Sequence, residues 1–245
     1  MKKFLNYRFK FNFNTICAVL LAASAPFLFA SHAYTQGHGA GDSLSAKDSA
    51  RVDRIQDHYQ HTTSFSAKFT EELTGVGATK RTRSGSVSYK RPGKMRWEFD
   101  APQKETVVSD GHKLYDYQPD LNQVLEVPID RAFKSAAPLS FLLGMGNLRR
   151  DFNVSLPVAA SSDTLLRVVL TPKGGGDRIE MGLNPSTCDL VEAKVTNALG
   201  NVTAIRFSDV RTNVQLADAM FQFEVPPGAD IVQAPNAPGA QPHSL

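Results

Sequence analysis

The chain is poor in cysteine, with two residues among 245, Cys17 and Cys188, and it has a single tryptophan, Trp97. Cys17 sits inside an apolar run, 15–30, that follows Lys2, Lys3, Arg8 and Lys10 and precedes the small residues Ser31-His32-Ala33. This order reads as an export signal cleaved after Ala33 or Ala30. Asn14-Thr15-Ile16 before Cys17 lacks the Leu and small residues that precede a lipidated cysteine, so release is expected. Once the signal is gone only Cys188 remains, and no intramolecular disulfide can form. No later apolar run is long enough for a membrane-spanning helix.

Excess charge of one sign is also missing. The pI of about 8.8 belongs mostly to the leader. Four of the 27 basic residues and none of the 24 acidic ones lie in the first 33 positions, which leaves 23 against 24. A near-neutral mature chain gives no electrostatic footprint for nucleic acid. Catalytic signatures are lacking too. There is no Gly-x-Ser-x-Gly elbow and no His-Glu-x-x-His, and Gly144-Met145-Gly146 and Gly174-Gly175-Gly176 have no Walker lysine. No cofactor and no metal are expected. His58 and His61, three apart, read as a solvated helix face. Lys80, Arg81 and Arg83 read as a solvated strand edge. The carboxylates show no pairing.

What the chain does have is a sustained period of two. Met95, Trp97 and Phe99 alternate with Lys94, Arg96, Glu98 and Asp100, so one side of that strand is apolar and the other is wet. Strands are predicted over 64–74, 80–91, 94–99, 104–109, 112–118, 122–128, 151–157, 163–171, 177–183, 190–197, 201–212 and 221–225. Asp110-Gly111 marks a hairpin, because glycine tolerates positive φ. A helix is predicted over 47–61 from the spacing of Val52, Ile55 and Tyr59. The segment 136–146, Pro138 near its start, reads as a short helix with apolar residues most of the way round.

The expected fold is mainly β, a single-domain incomplete antiparallel β-barrel (a half-barrel) covered by short α-helices. Residues 1–33 are the signal, 34–46 a flexible leader, 47–232 the folded domain and 233–245 a disordered tail. Large apolar residues come from many strands, among them Val87, Phe221 and Phe223. An apolar helix over a broad sheet is what a lid over a cavity requires.

Phe65-Ser66-Ala67-Lys68-Phe69, Tyr89-Lys90-Arg91-Pro92, Trp97, Pro102, Val108-Ser109-Asp110-Gly111, Leu170-Thr171-Pro172-Lys173 and Phe221-Gln222-Phe223 before Pro226-Pro227-Gly228 follow one another in an order that resembles the LolA family of periplasmic lipoprotein carriers. The resemblance spans about 47–232. It implies a monomer in the periplasm that shelters the acyl chains of outer-membrane lipoproteins. Its implied partners are an inner-membrane extractor, LolCDE, and a LolB-like outer-membrane acceptor. The acyl-binding residues would be Phe65, Phe69, Tyr89, Met95, Trp97, Phe99, Val107, Leu114, Leu139, Leu142 and Phe207. Arg91 would be a latch on backbone carbonyls of the lid, and 137–145 would be that lid. Met95 stands where the family often has Phe. No final strand is evident in the tail. An RseB-like lipoprotein sensor is the alternative, and it would carry an added C-terminal domain for which this chain ends too soon.

Overall fold

A computed structural model describes residues 44–76, 80–129, 146–158 and 162–233. The export signal, most of the leader, Leu139 and Leu142 with the rest of the predicted lid, and the tail beyond Gln233 lie outside the described residues.

Helix α1, Ala46–His61, begins where Ser45 caps it: the Ser45 hydroxyl accepts from the Asp48 amide at 3.1 Å. This Ser-x-x-Asp signal places the start inside the stretch read as leader. Val52, Ile55 and Tyr59 form its buried stripe. The chain then enters strands β1 (Ser64–Thr74), β2 (Arg81–Lys90), β3 (Lys94–Phe99), β4 (Glu105–Asp110), β5 (Lys113–Gln118) and β6 (Gln123–Pro128). A one-turn helix α2, Leu148–Asp151, leads into β7 (Phe152–Ser155), β8 (Leu166–Pro172), β9 (Arg178–Leu183), β10 (Leu190–Thr196) and β11 (Val202–Thr212). Period-two reading locates these strands closely. At the β4–β5 turn Gly111 has φ +97°, and the Asp110 carboxylate accepts from the His112 and Lys113 amides.

Among the described residues, all strands join one twelve-stranded sheet in the order β12-β6-β5-β4-β3-β2-β1-β11-β10-β9-β8-β7. The outermost strands do not pair with each other, so the sheet is open. Antiparallel partners share a face, and the register therefore sorts the inner face into rows. Phe65, Tyr89, Met95, Ser109, Leu114 and Val127 form one row, and Ala67, Val87, Trp97, Val107, Asp116 and Leu125 the next. Phe69, Gly85, Phe99 and Glu105 follow. A β-carbon on Gly85 would lie 1.9 Å from the Glu98 carbonyl oxygen and 3.0 Å from the Phe69 ring. Glycine is needed there because the strands and the flanking rings leave no space.

The expected strand at 221–225 is not formed. Asp218–Phe221 make a 3-10 turn against β3 and β4 on the outer face, where Phe221 is buried. Phe223 stacks on Tyr115 with ring centres 5.3 Å apart. These two phenylalanines thus serve the outer face, and Pro226-Pro227 supplies no amides for a ladder. The chain reaches the far edge and forms β12, Asp230–Gln233, parallel to β6. A final strand exists after all, it extends one residue into the expected tail, and its pairing breaks the expected all-antiparallel pattern. Asp230–Gln233 alternates too briefly to stand out in sequence.

Gly85→Ala should destabilise the fold by about 1–3 kcal/mol through overpacking, read as a lower urea midpoint. An unchanged midpoint would show that β2 and β3 can separate at no cost.

Candidate functional site

The inner face is a continuous apolar surface built from aromatic side chains. The Phe69 ring lies 4.8 Å from Trp97 and 5.1 Å from Phe99, both edge-on. Phe207, delivered by β11 opposite Phe69, contacts Phe65 at 5.9 Å and Trp97 at 6.4 Å. Phe69, Tyr89, Met95, Trp97, Phe99, Val107, Leu114 and Phe207 are all buried in one cluster, with Phe65 packed against it. Helix α1 adds Val52, Ile55 and Tyr59 to the same cluster.

Under α1 this surface leaves a cavity of about 60 Å³. Phe65, Val87, Tyr89, Met95, Trp97, Leu190 and Phe207 line its sheet side, and His58, Tyr59, Thr62, Asp189 and Thr212 complete it. Phe69, Phe99, Val107 and Leu114 belong to the same face but do not reach the cavity. Drug-sized ligands occupy roughly 300–1,000 Å³, so α1 lies close on the sheet. Burial pushes the Tyr89 hydroxyl up to about 12 and raises Tyr59 further; both stay neutral. Tyr59 and Leu190 were missed as cavity residues. The helical spacing of Tyr59 was legible, but not what its stripe would cover.

Polar contacts at the margins hold α1 in place. Arg91, in the β2–β3 turn, donates from Nη1 to the Gln60 carbonyl at 2.8 Å and from Nη2 to the Tyr59 carbonyl. Its amide donates to Thr63 at 2.9 Å. A cation among the last carbonyls of a helix satisfies acceptors that have no intrahelical partner. Among the described residues, the carbonyls that Arg91 holds are therefore those of α1. Gln56 accepts from the Leu148 amide at 2.7 Å, Arg149 reaches Asp53 at 2.8 Å and Arg54 reaches the Pro185 carbonyl at 2.6 Å. His58 is not on a solvated face: its Nε2 lies 3.3 Å from the Asp189 carboxylate in the β9–β10 turn. Cys188, in the same turn, is buried with φ +64°.

At the other end of the inner face the Arg83 guanidinium lies between two carboxylates. Its Nε donates to Glu71 at 2.9 Å and its Nη1 to Glu105 at 2.8 Å, with the group 3.9 Å over the Phe99 ring. Glu71 is fully buried and Glu105 and Arg83 nearly so. Arg83 is therefore no solvated edge: β2 is central, and residue 83 points inward with Gly85 and Val87. The two carboxylates do pair, through an arginine that lies opposite Glu71 and one row from Glu105. Burial pushes the Glu71 carboxyl up from its ordinary range, against the opposing pull of Arg83.

An open, mostly antiparallel sheet with an apolar inner face under a clamped helix defines a binding fold for greasy ligands. Residues 60–224 match the family described as Outer membrane lipoprotein carrier protein LolA, and the chain belongs to that family. It is 32% identical over 185 residues to an outer-membrane lipoprotein carrier protein of Methylobacillus flagellatus, covering 74% of this chain and 88% of the relative. It is 32% identical over 220 residues to one of Bordetella avium, covering 89% and 96%. Among solved structures, LolA superfamily protein NE2245 from Nitrosomonas europaea aligns with a TM-score of 0.40 and 12% identity, over 74% of this chain and 99% of that one.

The raised Glu71 pKa has a definite sign. The folded state holds this proton more tightly than the unfolded chain, so the stabilisation is complete below the ordinary value of 4.5 and is lost as pH rises through the raised one. Glu71→Gln removes the ionisation. Urea midpoints taken from about pH 4 to about pH 8 should move in the variant's favour, relative to the parent, as pH increases. A gap that stays constant with pH would show that Glu71 titrates normally.

Proposed function

We propose that this chain carries outer-membrane lipoproteins across the periplasm, sheltering their acyl chains between α1 and the inner face of the sheet. Membership of the carrier family supports the cargo class. The observation that carries the site is the buried aromatic face beneath a helix whose last carbonyls are held by Arg91. Sheltering is needed because each methylene kept from water is worth about 0.8 kcal/mol, so a chain of about sixteen carbons resists leaving a bilayer by on the order of 10 kcal/mol. The lift must come from an ATP-driven inner-membrane extractor of the LolCDE kind, and delivery from a LolB-like acceptor with a still better site. The carrier's own task is reversible binding, and no chemical step is assigned to it.

A cavity of about 60 Å³ is the closed state in this reading. Loading requires α1 to lift and the space beneath it to widen. An arginine hydrogen bond to a carbonyl contributes roughly 1.5–3 kcal/mol, small enough to be overcome by buried methylenes and large enough to hide the face when it is empty. Met95, unbranched and polarizable, adapts its shape to acyl chains of different length.

Two substitutions test the reading. Arg91→Leu deprives the closed state of its donors. Amides of α1 should exchange faster, and loaded protein should keep its lipoprotein when mixed with membranes that bear the acceptor; release at the parent rate would refute the latch. Trp97→Glu places a charge against the acyl site, where it is costly to desolvate. Uptake of a fluorescent apolar probe should drop to background, and unchanged uptake would remove this face from the binding site.

A further inference from the structure

The wall that closes the apolar cavity also borders a second, outward-facing space. On the other side of His58 and Thr62 lies a surface groove of about 320 Å³, lined by Arg54, Asp57, His61, Ser186, Thr187 and Asn213. The cavity and the groove share His58 and Thr62, from the last turn of α1 and the residue after it, and both are bordered by the β9–β10 turn. Thr62 is tied back into the helix, its hydroxyl donating to the His58 carbonyl at 2.8 Å. The seam itself is closed by one side-chain pair, His58 and Asp189, at 3.3 Å. The lining changes character across the seam, from aromatic rings to charged and hydroxyl groups.

A lipoprotein presents the same change of character within a few bonds. Its acyl chains are apolar, the ester and amide carbonyls that join them to the first residue are polar, and the polypeptide that follows is an extended chain of amides. Those amides cannot enter the cavity, because a buried carbonyl or N–H left unpaired costs about 1–3 kcal/mol. They need a polar path that starts where the apolar lining stops. We propose that the polypeptide leading away from the acylated residue leaves through the His58–Asp189 seam and lies in this groove, with the neck carbonyls at the corner formed by His58, Thr62 and Asp189. The inference rests on the acyl-carrier reading and adds to it the cargo's exit path and a contact with the peptide itself. Asp57 and Ser186, both exposed, offer a carboxylate to cargo amides and a hydroxyl to either partner. The rest of the cavity lining is aromatic or aliphatic except for Thr212, whose chain neighbour Asn213 already lines the groove.

The experiment uses two probes, palmitic acid and a synthetic S,N-palmitoylated cysteinyl peptide with a hydrophilic tail. Ser186→Trp fills the groove without touching the cavity lining. It should weaken binding of the acylated peptide about tenfold and leave palmitic acid unaffected. Photoreactive benzoylphenylalanine in place of Thr187 should cross-link to the residues next to the acylated cysteine, whereas the same group in place of exposed Leu199, in the β10–β11 turn, should not. Cross-linking from position 199 instead of 187, undiminished peptide binding by Ser186→Trp, or an equal loss of both probes would each overturn the proposal. Should Ser186→Trp fail to fold, the cross-linking pattern decides alone. Failure of the unaltered protein to bind palmitic acid would be a different result, since it would strike the carrier reading itself and the exit path with it.

Discussion

The described part of this molecule is arranged around an apolar sheet face that must be hidden from water, and in the proposed carrier it must be hidden without being filled for good. A packed core of the same composition would interlock its side chains and never open. Among the described residues the cover is one helix whose buried stripe is narrow, Val52, Ile55 and Tyr59, and whose polar contacts lie at its margins. Burying such a stripe contributes several kcal/mol, and each marginal contact adds a little more. The sheet has interactions of its own, since its strands pair through backbone ladders from β12 to β7. Cover and platform are thus held by different interactions, which in the proposed carrier would let one move while the other persists.

The buried ion triad fits the same division. Replacing a buried ion pair with well-packed apolar residues is often neutral or stabilising, so Arg83 with Glu71 and Glu105 is not needed to raise overall stability. Its position is more telling. It occupies the end of the inner face beyond Phe69 and Phe99, away from Arg91 and the cavity. Charged groups there end the apolar surface and, in the proposed carrier, would limit how far methylenes can extend along the sheet.

The sheet was legible in the sequence because period two survives in every long strand. Met95, Trp97 and Phe99 announce their face without help from any neighbour, and Asp110-Gly111 announces its turn. Phe65, Phe69, Tyr89, Val107, Leu114 and Phe207 are implied by the family resemblance, and the strand register and the shared cluster put them on that same face. What sequence could not supply was pairing between distant elements. Arg83 looks like one cation in a basic run, and only the register between β1, β2 and β3 shows that residues 71 and 83 face each other across strands. His58 looks exposed until the β9–β10 turn brings Asp189 to it. Phe221-Gln222-Phe223 alternates like a strand, yet its phenylalanines are taken by the outer face and the prolines after it cannot join a ladder. In each case local pattern was read correctly and a long-range contact decided the outcome.

The segment after β11 has a consequence for the helix clamp on the opposite face. Asp218 lies 2.7 Å from Lys90 and 3.1 Å from Lys94, the two residues that flank the Arg91 turn, and Lys90 also donates to the Leu216 carbonyl at 2.7 Å. From within the sheet, the Ser109 hydroxyl donates to the Gly93 carbonyl at 2.9 Å. The turn is thus fixed from the outer face and from β4, contacts that do not involve α1, so in the proposed carrier Arg91 would project from a base that stays in place when α1 lifts. Exposed ion pairs are individually weak, but a carboxylate shared by two lysines and backed by buried Phe221 holds direction even where it adds little energy. A clamp works by such an asymmetry: the side chain that grips must be more rigidly mounted than the element it releases, or opening would dissolve the grip instead of breaking it.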